Sequence, residues 1–90
     1  MTETNHNQPK SRRRLQWQCR RGIKEVEVLL IPFFEQRFDG LEALDQALFE
    51  RLLEQHDVDL FEWFTYRSKP QDAELNRMVT MVLKRVDAGT

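Results

Sequence analysis

The sequence predicts an all-α protein, a compact single-domain bundle of about five short helices. Three observations carry that prediction. Apolar residues recur at helical spacing, without exception over Leu75, Met78, Val79, Val82, Leu83 and Val86. Only three glycines and three prolines punctuate ninety residues, of which 40% are hydrophobic and 32% charged, a balance that suits a folded helical domain rather than a disordered or fibrous chain. Only one stretch, EVEVLLIPFF from Glu25 to Phe34, looks like a strand, and no other segment could pair with it. A chain of this length buries roughly 60–65% of its unfolded surface, enough for one modest core and no second domain.

The elements follow in order. Residues 1–11 are polar, aperiodic and contain Pro9, which predicts a disordered polar tail; the helical domain spans 12–87 and residues 88–90 form a C-terminal tail. Ser11 is placed to cap a short helix over Arg12 to Arg20, on which Leu15 and Cys19 form a narrow apolar stripe while Arg13, Trp17 and Arg21 align if the helix runs that far. Gly22 breaks it. In EVEVLLIPFF local propensity favours a strand, whereas a helix puts Ile23, Val26, Leu29, Leu30, Phe33 and Phe34 on one face, with a kink near Val28 from Pro32. The missing strand partner decides for helix. Asp39 with Glu42 resembles a capping box before a stripe of Leu41, Leu44, Leu48 and Leu52 that runs to about Gln55. Asp57 or Asp59 caps a short helix holding Leu60, Phe61, Phe64 and a core Trp63, and Pro70 with Asp72 opens the last helix, which ends before Gly89.

Charge and composition exclude several functions. Residues 1–24 carry seven basic side chains against Glu3, a net +6, and the remainder carries seven against fourteen, a net −7. The longest apolar run, Val28 to Phe34, is far short of the roughly 20 residues that a bilayer span needs. No apolar segment follows the polar start, so no secretory signal is read and a cytoplasmic protein is expected. One cysteine and two histidines, Cys19, His6 and His56, supply neither a disulfide nor a set of zinc ligands.

The unusual residues concentrate in QWQCRRGIKE, Gln16 to Glu25. Cys19 reads as a small buried hydrophobe beside Leu15, since no local motif positions a base for a nucleophilic thiol. Trp17 flanked by arginines has the composition of an interface hot spot. The Arg12 to Arg14 triplet is either a phosphate contact or a solvated basic helix start, and nothing else in the acidic remainder supports nucleic acid. Arg21, Gly22 and Glu25 admit two readings. One is a helix break followed by a first turn in which Glu25 pairs with Arg21. The other is a contact site in which Glu25 orients the Arg21 fork and Gly22 lets another backbone approach. Residue chemistry leaves both open.

The segments RLQWQCRRGIKEVEVLLIPFFEQRFD, FERLLEQHDVDLFEWF and KPQDAELNRMV, from about Arg14 to Arg85, resemble the small bacterial succinate dehydrogenase assembly factors that promote covalent flavinylation. Some members of that family once carried antitoxin labels. Its RGxxE motif stands here as Arg21, Gly22 and Glu25. The resemblance implies a helical chaperone that binds the flavoprotein subunit of succinate dehydrogenase, or of fumarate reductase, and favours bond formation between FAD and a histidine of that subunit. It also implies that the protein is no enzyme and holds no permanent cofactor or metal. The clustering of these residue types beside an otherwise ordinary core then makes Arg14, Trp17, Arg21, Gly22 and Glu25 the expected working face. The rival reading is a nucleic-acid-associated or antitoxin-like protein that uses Arg12 to Arg14.

Overall fold

Five α-helices follow one another in a computed structural model that describes residues 11–89, with side chains through Lys84. They are α1 (Arg12–Gln18), α2 (Lys24–Arg37), α3 (Ala43–Leu53), α4 (Asp57–Phe64) and α5 (Ala73–Gly89), with a single 3-10 turn at Phe38–Gly40 after α2. No strand occurs among the described residues, so the all-α bundle expected from sequence is the architecture found. The expected tail over residues 1–11 lies outside the described residues except for Ser11, as does the side chain of Val86. The last helix continues through Gly89, a residue expected to lie past its end.

Seven residues cannot sustain an isolated helix, so α1 exists by docking. Ser11 caps it by accepting the Arg14 N–H at 3.2 Å, and its two inward residues, Leu15 and Cys19, are sealed in the core. In α2, Val26, Leu30, Phe33 and Phe34 are buried and Ile23 and Leu29 pack against them, the face that a helical reading required. Pro32 lies inside α2 without ending it. Its missing N–H would have bonded the carbonyl of Val28, a residue on the solvent side of α2, where a carbonyl without an intrahelical donor is open to hydration.

The segment after α2 departs from the sequence reading. Asp39 and Glu42 form no capping box: Asp39 belongs to the 3-10 turn and accepts both of its bonds from Arg12 Nε at 3.2 Å, and Glu42 itself occupies the N-cap position of α3. The cause is Phe38, which continues the turn beyond α2 to bury its ring against Phe34 and Phe49, at centroid separations of 4.9 and 5.6 Å. Leu48 and Leu52 of the expected stripe are buried and Leu41 packs against the core, but Leu44, in the first turn of the later-starting α3, is 82% exposed, and Phe49 and Leu53 complete the inner face. The N-cap of α4 is His56 rather than Asp57 or Asp59. Asp72 does cap α5, accepting the N–H groups of Glu74 at 2.8 Å and Leu75 at 3.1 Å.

Helix α3 packs chiefly on α5, α2 lies across α4 and α5, and α1 rests on α3. All five helices feed one core, in which Phe33, Phe34, Phe38 and Phe49 form an aromatic cluster. No polar or charged residue is fully buried among the described residues. Trp63, expected in the core, is half-buried and packs on its edge. Arg51–Asp72 at 2.8 Å and Arg77–Asp45 at 2.7 Å tie α3 to the start of α5 at the surface. The hydrogen bond from Arg51, with those from the Leu75 and Glu74 N–H groups, holds the Asp72 carboxyl below its ordinary value.

Candidate functional site

Helix α1 ends at Gln18, with Cys19 as its C-cap, so the chain turns before Arg21 can join Arg13 and Trp17 on one face. Arg21 is carried inward. Its Nε donates to Asp57 Oδ1 at 2.8 Å, Nη1 to the carbonyls of Gln18 at 2.9 Å and Leu53 at 2.7 Å, and Nη2 to the carbonyl of Gln55 at 2.8 Å. Gln18 and Leu53 are the last residues of α1 and α3, whose terminal carbonyls lack partners within their own helices. Asp57 opens α4, where a carboxylate suits the positive end of the helix dipole. One guanidinium thus satisfies two helix C-termini and grips a third helix at its N-terminus. Its side chain is 15% exposed, and four of its five N–H groups are engaged.

Glu25 does not orient this arginine. The Glu25 side chain is exposed and makes no hydrogen bond or ion pair to another described residue. Asp57, 36 residues away in sequence, holds Arg21 instead. Neighbouring Glu27 performs the local task, accepting the Gly22 N–H at 2.6 Å from the first turns of α2. Gly22 has φ +79°, a left-handed conformation that a Cβ disfavours, although a Cβ built there meets nothing within 4 Å. Within this chain the glycine is required for its backbone conformation, and the space over it is open.

Trp17 is 69% exposed and lies in a shallow hollow with Arg13, Gln16 and Arg20. Arg13, Arg14 and Arg20 are exposed, and their side chains make no hydrogen bond or ion pair to another described residue. Arg12 differs from the other two arginines of its triplet. It pairs with Asp39, and its guanidinium lies 4.9 Å from the centroid of the Phe34 ring, so it fastens α1 to the body. Cys19 is buried, and that burial pushes its thiol up to about 12, which removes the thiolate a nucleophile requires. No group of three or more metal-ligating side chains occurs among the described residues, and no helix described is long and apolar enough to cross a membrane.

The structure therefore splits the sequence-predicted site. Trp17, Arg14, Gly22 and Glu25 remain at the surface, while Arg21 is the internal fastener beneath them. Two participants escape a reading of the sequence, Asp57 and Glu27. An aspartate at a helix start means a cap by default, and no local signal reveals that Asp57 has a partner so distant in the chain. Glu27 has a signal in its spacing, a carboxylate in the first turns of a helix that begins just after a glycine.

An aromatic side chain on α1, among cations that pair with no described residue and beside a turn held by Arg21, has the chemistry of a protein contact surface on a small helical body. Comparison with known proteins gives that class a family. A family model described as flavinator of succinate dehydrogenase matches residues 13–86, and the chain belongs to this family. It is 53% identical over 74 residues to an FAD assembly factor SdhE of Pseudomonas aeruginosa, covering 82% of this chain and 88% of the relative. Proteins of the same name from Colwellia psychrerythraea and Pectobacterium atrosepticum are 51% and 42% identical over 73 and 72 residues, covering 81% and 80% of this chain and 80% and 82% of the relatives.

Proposed function

We propose that the protein is a cytoplasmic assembly chaperone that binds the flavoprotein subunit of succinate dehydrogenase, and the related fumarate reductase subunit, and promotes covalent attachment of FAD. The family match supports the partner, and the exposed Trp17 beside arginines that pair with no described residue is the observation that carries the mode of action. The flavin supplies the bond-forming chemistry with a histidine of the partner, and the chaperone contributes binding and orientation without holding FAD or catalysing the step. Trp17 supplies aromatic area for burial, Arg14 and Glu25 make charge-assisted hydrogen bonds across the interface, and the open side of Gly22 admits the partner's backbone. Arg21 serves this face by fixing the turn between α1 and α2, the two helices that display it, with one N–H left for the partner.

Co-expression with the flavoprotein subunit, followed by flavin fluorescence in a denaturing gel, tests the reading. Trp17→Ala and Glu25→Ala are expected to lower covalent flavin while leaving helical circular dichroism and Tm unchanged. Undiminished fluorescence with both variants would falsify the assignment of this face. The nucleic-acid reading gains no observation in its favour, because Arg12 of the triplet is already occupied by Asp39 and Phe34.

A further inference from the structure

The chain leaves α4 through a turn that glycine ordinarily occupies. The Arg67 N–H donates to the Glu62 carbonyl at 2.8 Å and the Tyr66 N–H to the Trp63 carbonyl at 3.3 Å, a pair of bonds that closes a helix around one left-handed residue. That residue is Tyr66, with φ 65°, the single positive-φ residue other than glycine among those described. A side chain in this conformation is strained, and the ring gains no burial in return, being 74% exposed.

Tyr66 stands on the lip of a groove of about 300 Å³ between this turn and α5. Trp63, Val79 and Leu83 give it an apolar lining. Its charged lining is Arg67 and Lys69, both cations, with no carboxylate among the described lining residues. The Arg67 guanidinium is held 5.4 Å from the centroid of the Phe61 ring, and the Lys69 ammonium makes no ion pair to a described residue. From Glu25 onward the chain carries a net −7, so a cationic groove here runs against the charge of its own body. The groove lies beyond the C-terminal end of α4, and Arg21 grips the N-terminal end, eight helical residues or about 12 Å away.

We propose that this groove docks an acidic peptide segment of a partner protein, with one apolar or aromatic side chain against Trp63 and Leu83 and carboxylates on Arg67 and Lys69. Tyr66 closes over the segment from the lip. The surface is independent of the Trp17 face, and neither assignment depends on the other.

The test uses the full-length ¹⁵N-labelled protein and an acetylated, amidated peptide of sequence Glu-Glu-Leu-Phe-Asp-Glu. Titration is expected to shift the amides of Tyr66 through Lys69, Asn76 and Thr80, to leave Gly22 and Glu25 in place, and to weaken with added salt. Lys69→Glu and Arg67→Glu are expected to reduce affinity about tenfold or more, as loss of a charge-paired contact does. Tyr66→Gly relieves the strained backbone, so Tm should rise by roughly 4 °C even as affinity falls. A merely tolerated tyrosine would give the first change without the second. Shifts centred on Arg13 and Arg20, no shift at millimolar peptide, or unchanged affinity in both Tyr66→Gly and Lys69→Glu would overturn the proposal. So would sedimentation showing a dimer that these variants dissolve, which would make a second copy the occupant.

Discussion

Arg20 and Arg21 are adjacent in sequence and opposite in use. Arg20 lines an open hollow with Trp17 and makes no ion pair to a described residue, while Arg21 is largely enclosed and bonds two helix C-termini, a loop carbonyl and the first residue of α4. The contrast shows that a basic cluster is not a single functional unit. Its inner half ties the turn between α1 and α2 to the ends of α3 and α4, while its outer half stays at the surface; under the proposed function, that pre-ordering lowers the entropy lost when a partner binds.

The inner half should show the larger effect on stability. Arg21→Ala orphans the Gln18, Leu53 and Gln55 carbonyls and leaves Asp57 without its partner, a loss of about 2–3 kcal/mol, or roughly 10–20 °C in Tm. Arg21→Lys keeps the charge but loses the fork and should fall between. A melting curve for Arg21→Ala that matches the wild type would erase the distinction between the two halves.

Gly22 comes next. A Cβ added at this position would meet no atom within 4 Å, so Gly22→Ala costs only the left-handed backbone, about 1 kcal/mol by thermal melting. Gly22→Asn, which tolerates that conformation, should cost less and yet still impair flavin attachment if the partner's backbone approaches there. Full flavinylation with Gly22→Asn would confine the glycine's role to folding.

Another arginine–carboxylate pair calibrates the contrast, because Arg51 and Asp72 are both well exposed. The folded-state pKa of Asp72 lies below its ordinary 3.8, so its contribution is present above that pH and is lost as pH falls through the depressed value. Urea midpoints of wild type and Asp72→Asn should therefore differ slightly at about pH 6 and converge toward the acid side of the ordinary carboxylate range. The smallest stability effect belongs to the outer half: Trp17→Ala should lie within about 0.5 kcal/mol of wild type in the same urea assay.

Much of the fold was legible because it rests on local patterns. The stripes of α1 and α5, the caps at Ser11 and Asp72 and the inner face of α2 are periodicities and side-chain types that act within one or two turns. The errors share a cause in long-range packing. Phe38 sought the Phe34 and Phe49 rings, moved the start of α3, exposed Leu44 and released Asp39 to Arg12. At the candidate site, residue types predicted that Trp17 lies outside the core, and it is exposed. They misassigned the orientation of Arg21 to Glu25, since spacing along a helix says nothing of a carboxylate arriving from another helix.

Composition, spacing and resemblance by themselves determined the helical class, one core, the buried thiol and the family. Only the tertiary structure decided which arginines are spent inside the molecule and which face outward. Terminal carbonyls of α1 and α3 converge with Asp57 at a single point, and a guanidinium there is more stable bonded to them than hydrated. That convergence exists only once the helices have packed.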